Sequence, residues 1–321
     1  MRLTIRDLAL TTLVIAGTLF FYACSSDDDP VTPQVEPVSQ HSGSMILIAA
    51  AGEDFSMGSS DGSSDEQPVH TVRFTRSFWM DTTEVTQASF NAVMSAAYSA
   101  YVTPAWHAPY GKGERIPAYL TEWGDAVLYC NARSSADGLE PVYSYAEILG
   151  TPGNGCELTE VVADLAKNGY RLPTEAEWEF AARAGGTSDF SWGKNASGYP
   201  VSAADSAEIA AHAVWAGNSW NLGSGDARFG MQEVAGRTAN AFGLYDMYGN
   251  AWEWCHDWYD AAYYETAQAI DPSGPASGQW HTLRGGSWGN EVIHLRASNR
   301  TFSTPDYLFN FIGFRTVRNA D

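Results

Sequence analysis

Basic residues are scarce in this chain of 321 residues: 18 Lys and Arg stand against 38 Asp and Glu, for a formal charge of -20. Neutralising nucleic-acid phosphates takes clustered Lys and Arg, so no nucleic-acid partner is expected. The acidic balance favours solubility and leaves cation binding open. Cysteine is also sparse, with Cys24, Cys130, Cys156 and Cys255 only. No C-x-x-C and no Cys/His pair at zinc spacing occurs. The histidines never recur at i, i+3 or i, i+4, which removes local support for a His-based metal triad. Nothing nominates a base for Cys130 or Cys255, so hydrolase chemistry gains no support. Past residue 24 no apolar stretch is long enough to cross a bilayer, and no internal repeat is visible.

The first 24 residues are of a different kind. Arg2 and Arg6 precede an apolar run from Leu8 to Phe21, and Tyr22-Ala23 leads into Cys24. That order predicts a secretory signal over 1–23. The run is too short to span a membrane and a cysteine closes it, so Cys24 is expected to carry a lipid that anchors the chain. Ser25, Ser26, Asp27 to Asp29 and then Pro30, Pro33 and Pro37 predict a solvated linker over 24–43. Ser25 and Ser26 behind the anchor favour the outer membrane or cell surface. The remaining 44–319 is expected to form one α+β domain, with 12 Trp, 16 Tyr and 14 Phe in the whole chain to fill its core. Lipidation leaves an odd three cysteines in an oxidising compartment, room for at most one disulfide.

Within the domain, Met45 to Ala51, Phe55 to Ser59 and His70 to Phe74 predict short strands joined by turns. Helices are expected from Thr86 to about Met94 and from Thr121 to about Arg133. A third carries a capping box, Thr174 with Glu177, and ends at Gly185-Gly186. Beyond it the chain turns Gly-rich and aromatic, and irregular structure packed by aromatics is expected.

Several segments together resemble the formylglycine-generating (sulfatase-modifying factor) family. They are Phe55 to Ser59; Met80-Asp81 with Glu84-Val85-Thr86; Arg171 to Gly186; Asn240 to Met247; Gly249-Asn250-Ala251-Trp252-Glu253-Trp254; Arg284 to Trp288; and Ile312-Gly313-Phe314-Arg315. The resemblance implies a C-type-lectin-like α+β fold, rich in irregular structure. It also implies a structural calcium held by the side chains of Asp246 and Glu253 and the carbonyls of Gly249 and Ala251. Two carboxylates seven residues apart across a Gly-Asn turn suit that oxygen-loving ion, although Asp246 capping a turn beside a surface Glu253 would look the same. Enzymes of the family use two cysteines just after Gly-Gly-Ser-aromatic to hold copper. Here no cysteine follows Cys255, so no copper is expected and no catalytic residue is assigned. Relatives that act as iron-dependent sulfoxide synthases carry a His-x3-His-x-Glu run on a separate domain, which is absent here.

Between Trp288 and Ile312 a small frame (Leu295-Arg296, Ser298 to Arg300, Pro305-Asp306) alternates with patches. The patches are Gly289 and Asn290; Ile293 and His294; Thr301, Phe302, Ser303 and Thr304; and Tyr307, Leu308, Phe309, Asn310 and Phe311. This framing resembles surface proteins of the same fold whose last segment is diversified by a retroelement that mutates template adenines. Asn codons there become any codon ending in a pyrimidine, and no patch residue lies outside that set. Phe302 and Tyr307 would make contact surface, while Phe309 and Phe311 either join them or alternate inward as a strand.

These observations lead to an expected function: a non-catalytic lipoprotein that binds an unidentified protein or other extracellular ligand through residues 288–311. Two alternatives stay open, an enzyme of the wider family with a non-standard site and an accessory subunit of a cell-envelope complex.

Overall fold

The structure is a computed structural model that describes residues 44–196 and 201–320. The expected signal, Cys24 and the linker to residue 43 lie outside the described residues.

Strands β1 (Met45–Ile48), β2 (Asp54–Met57), β3 (His70–Arg73) and β4 (Phe78–Asp81) pair antiparallel, β1 with β4 and β2 with β3. β1, β2 and β3 are shorter than the sequence suggests but fall where it places them, whereas β4 was not expected. Helix α1 (Gln87–Ala97) starts at Thr86, whose hydroxyl accepts the Ser89 amide at 3.2 Å. Helix α2 (Trp123–Ala136) is capped by Glu122, one residue beyond the Thr121 favoured from sequence. Strands β5 (Tyr143–Ser144), β6 (Ile148–Gly150), β7 (Cys156–Leu158) and β8 (Val162–Ala163) form two small ladders beyond it.

Helix α3 (Glu175–Arg183) carries the expected box. Glu177 N donates to Thr174 Oγ1 at 3.2 Å and Thr174 N donates to the Glu177 carboxylate at 2.9 Å. Its left-handed terminal residue is Ala184 rather than Gly185. Every residue of α3 is buried, although Glu175, Glu177, Glu179 and Arg183 are charged. Helix α4 (Ala203–His212) was not expected; only Ile209 on it is buried, so no apolar stripe marks it in the sequence.

The carboxyl-terminal half builds a four-stranded sheet in the order β11-β10-β9-β12, from β9 (Trp252–Trp258), β10 (His281–Arg284), β11 (Arg300–Ser303) and β12 (Ile312–Gly313). Strand β13 (Val317–Asn319) then pairs with β4, returning the end of the chain to the first sheet. One core cluster packs α1 and α2 against Trp254, Trp288 and Phe314. A second packs α3 against Met57, Phe78, Met80 and Tyr264.

In the first core region the His281 ring is sandwiched between Trp123, 3.9 Å away, and Trp258, 3.8 Å away. Burial, followed by repulsion from His256, pushes the His281 pKa down to about 3. The folded state thus refuses a proton that the unfolded chain accepts near the ordinary value of 6.5. Stability should therefore fall as pH drops from about 6.5 towards 3, by up to about 1.4 kcal/mol per pH unit from this group. Urea unfolding at pH 7 and pH 5 checks this, and His281→Phe, which keeps the ring stack but cannot titrate, should lose part of the difference.

Candidate functional site

Arginines that frame the carboxyl-terminal segment are buried and fork onto carboxylates from distant parts of the chain. Arg296 holds Glu66 through contacts of 2.7 and 2.5 Å, and Arg300 holds Glu175 through contacts of 2.6 and 2.9 Å. Arg315 holds Glu253 through two contacts of 2.7 Å. Arg284 reaches Glu179, which also accepts Arg183 at 2.8 Å and the Gly58 amide at 2.9 Å. Burial raises the Glu179 pKa, but Arg183 and Arg284 overcome it and hold the carboxyl below its ordinary value. Gly58 fits here because its φ is +94° and a Cβ would meet the Glu66 carbonyl at 2.4 Å.

Between these fixed points no patch residue is buried. Ile293, His294, Phe302, Thr304, Tyr307 and Leu308 are exposed. Gly289, Asn290, Thr301, Ser303, Phe309, Asn310 and Phe311 are half-buried. The frame from Leu295 to Arg300 is buried throughout, whereas its last part, expected at Pro305-Asp306, is not: Pro305 is half-buried and Asp306 exposed. Phe302 stacks on Tyr259 at 4.3 Å with Trp280 at 5.0 Å. The start of α2 ties down the last patch: Trp123 N donates to the Pro305 carbonyl at 3.1 Å and Leu120 N to the Phe309 carbonyl at 3.2 Å.

Phe309 and Phe311 do not alternate inward as a strand. Their rings lie 4.2 Å apart on irregular backbone, and both line a cavity of about 280 Å³ with Gly289, Asn290 and Asn310. Tyr110, Trp220, Ser287 and Trp288 supply the rest of its wall. No local pattern marks Tyr110 or Trp220 as site residues, because they come from segments far from the patches. Trp288 is buried and its indole donates to the Asn310 carbonyl at 3.3 Å.

Asp246 and Glu253, the carboxylates expected to hold calcium, are both buried and close enough to feel each other's charge, and Glu84 feels both. Asp246 is buried at a φ of +58°, and its Oδ2 accepts the Ala235 amide at 2.7 Å. Glu253 is fully committed in a different sense from a surface residue: it bonds Arg315 and accepts the Trp178 indole at 2.8 Å. Glu84 Oε1 accepts Asn250 Nδ2 at 3.1 Å, while its Oε2 is buried with no donor. Burial first, then Asp246 and Glu253, push the Glu84 pKa well up, and burial raises that of Asp246. Three buried carboxylates thus face one guanidinium, that of Arg315. Among the described residues the group whose ligand atoms all lie within 4.8 Å of one another, as a metal ion requires, is not this one but Glu122, Asp125 and Cys156, and Glu253 is committed to Arg315 and Trp178. The backbone is shaped for the turn: Gly249 has φ +84°, and a Cβ there would meet the Val214 carbonyl at 2.1 Å.

The domain cysteines are not poised as nucleophiles. Cys130, Cys156 and Cys255 are free and buried, and desolvation raises each thiol pKa, away from the reactive thiolate. Gly58–Gly62 and Gly285–Gly289 both spell Gly-x-Ser-x-Gly, yet neither forms the strand-turn-helix of a nucleophile elbow. Ser287 Oγ instead donates to Asn290 Oδ1 at 2.6 Å.

An α+β scaffold of short sheets and long loops, closed by buried ion pairs around an aromatic cavity, is the class that fold and site define. The chain belongs to the family of the sulfatase-modifying factor enzyme 1-like domain, which matches residues 31–320. It is 31% identical to the formylglycine-generating enzyme of Streptomyces coelicolor over 299 residues, 85% of this chain and 89% of that one. Among solved structures it is similar to Treponema denticola variable protein 1, with a TM-score of 0.64 and 29% identity over 86% of this chain and 95% of that one. PvdO from Pseudomonas aeruginosa matches with the same TM-score of 0.64 at 25% identity, over 86% of this chain and 94% of that one. The formylglycine-generating-enzyme fold expected from the sequence is therefore the fold observed.

Two measurements follow from this geometry. Arg300→Met, which strands the buried Glu175, should lose about 3 to 5 kcal/mol of unfolding free energy, whereas Tyr307→Ser and Ile293→Asn should each change it by about 0.5 kcal/mol or less. Equal losses in urea titrations would contradict the division into frame and patch. Calcium added to chelator-treated protein should raise Tm by about 5 °C, and Asp246→Asn should abolish the rise.

Proposed function

We propose that the chain is a non-catalytic lipoprotein, anchored at the cell surface through Cys24, that binds a ligand outside the cell with its carboxyl-terminal loops. The observation that carries this reading is the split between frame and patch. The buried arginine forks hold residues 284 to 315 at four places, and every patch residue between them reaches the surface or the cavity wall. Side chains can change in such a segment without disturbing the buried ion pairs, which is what diversification by a retroelement requires. Similarity to a Treponema denticola protein described as variable supports the same reading. Calcium has a structural part in this reading, since the carboxylate cluster lies beneath the segment and outside the cavity.

Formylglycine formation is disfavoured because the copper-holding thiols have no counterpart: no cysteine lies between Arg284 and Asp321. Asn290, hydrogen-bonded to Ser287, and Leu295, buried in the frame, occupy that stretch instead.

Amplicon sequencing of codons 285 to 318 across isolates, with a search of flanking DNA for a near-identical repeat, tests the proposal. Substitutions should fall at patch codons ending in a pyrimidine and spare Arg296 and Arg300. An invariant segment with no repeat would end the diversification idea and turn attention to a fixed envelope partner, sought by copurification.

A further inference from the structure

The cavity beside the patches has a composition that selects among ligands. Tyr110, Trp220, Trp288, Phe309 and Phe311 line it, and no acidic or basic side chain does. Their rings are not coplanar: Trp220 and Trp288 are inclined by 47°, Tyr110 and Trp288 by 34°, Phe309 and Phe311 by 53°. A flat ring stacks on one platform, whereas walls at such angles surround a rounded group. The polar groups at hand are few. Ser287 and Asn290 line it too, but the Ser287 hydroxyl is committed to Asn290 Oδ1; what is left over, the Asn310 and Asn290 amide NH2 groups and the Tyr110 hydroxyl, is too little to satisfy the hydroxyl rim of a sugar. No guanidinium or ammonium is present to hold an anion. The chain's charge of -20 draws cations towards it from a distance.

We propose that this cavity binds a quaternary ammonium or comparably methylated amine, such as a choline group, by cation–π contact with its aromatic walls. The proposal rests on the reading of the cavity as the ligand site. Trp220 is its fixed half: it lies outside the diversified segment, is 51% exposed, and packs 5.4 Å from Trp288. Phe309 and Phe311 are the half that changes of sequence would retune. A volume of about 280 Å³ has room for one such head group.

Calorimetric titration of the purified domain with tetramethylammonium, with choline, and with the neutral carbon isostere of choline separates charge from shape. The cations should bind at least tenfold more tightly than the isostere. Trp220→Ala, at an exposed position that does not threaten folding, should weaken them about tenfold, and Trp220→Phe should retain most of the binding. Sedimentation with phosphatidylcholine vesicles, compared with free choline, then tells a membrane head group from a dissolved ligand. Equal binding of cation and isostere, or no binding of either, overturns the proposal. The parent reading is judged separately, by whether codon variation concentrates at the residues that line the cavity.

Discussion

Arg284, Arg296, Arg300 and Arg315 leave water and pair with carboxylates carried by the chain as far as 230 residues away. Taking such ions out of water is expensive, and burial alone would make each pair a poor source of stability. What a bidentate fork supplies is geometry, because the planar guanidinium accepts a carboxylate in one orientation. Strands β10 to β13 after residue 258 are only two to four residues long, so the forks fix what their short ladders leave free. The β11 strand of four residues, for example, enters the sheet with Arg300 locked onto Glu175 of α3.

The carboxylate cluster is joined to the same framework through the backbone. Gly249 N donates to the Gly285 carbonyl at 2.8 Å, Trp288 N to the Asn250 carbonyl at 3.0 Å, and Trp252 N to the Phe311 carbonyl at 2.9 Å. The turn that bears Asp246 and Glu253 therefore supports the segment at both of its ends, next to Trp288 and next to Phe311. A cation neutralising Glu84 and Asp246 would stiffen that turn, and stiffness there is transmitted directly to the two sides of the cavity. Glu253 belongs to both systems, since one carboxylate faces Arg315 and the acidic cluster together.

What could be read from the sequence is what chemistry expresses locally. The box of Thr174 and Glu177 spans three residues, and the alternation of frame and patch runs along the chain, so both were legible. Helix α4 was not, because an alanine-rich surface helix with Ile209 as its buried residue leaves no period to detect. Glu84 was noticed within a family motif but not as part of the acidic cluster, which forms across 162 positions to Asp246 in the fold. The partners of the arginines and the cavity wall at Tyr110 and Trp220 were hidden for the same reason. Long-range pairing carries no local pattern, and a buried glutamate looks in sequence like a solvated one.

A site of this construction divides affinity from discrimination. Tyr110, Trp220 and Trp288 belong to the scaffold, and aromatic surface of this kind gives contact area with little loss of side-chain freedom. Patch residues set the remaining wall at Phe309 to Phe311 and the outlying surface at Phe302, which rests on Tyr259 and Trp280. If every contact were variable, most substitutions would leave too little binding for any ligand. If the loops bind a ligand as proposed, a change at one patch residue would alter which ligand fits best while the fixed aromatics kept a floor of affinity. Specificity is a difference between affinities, and that difference can be varied most freely where the fold does not depend on the residues that create it.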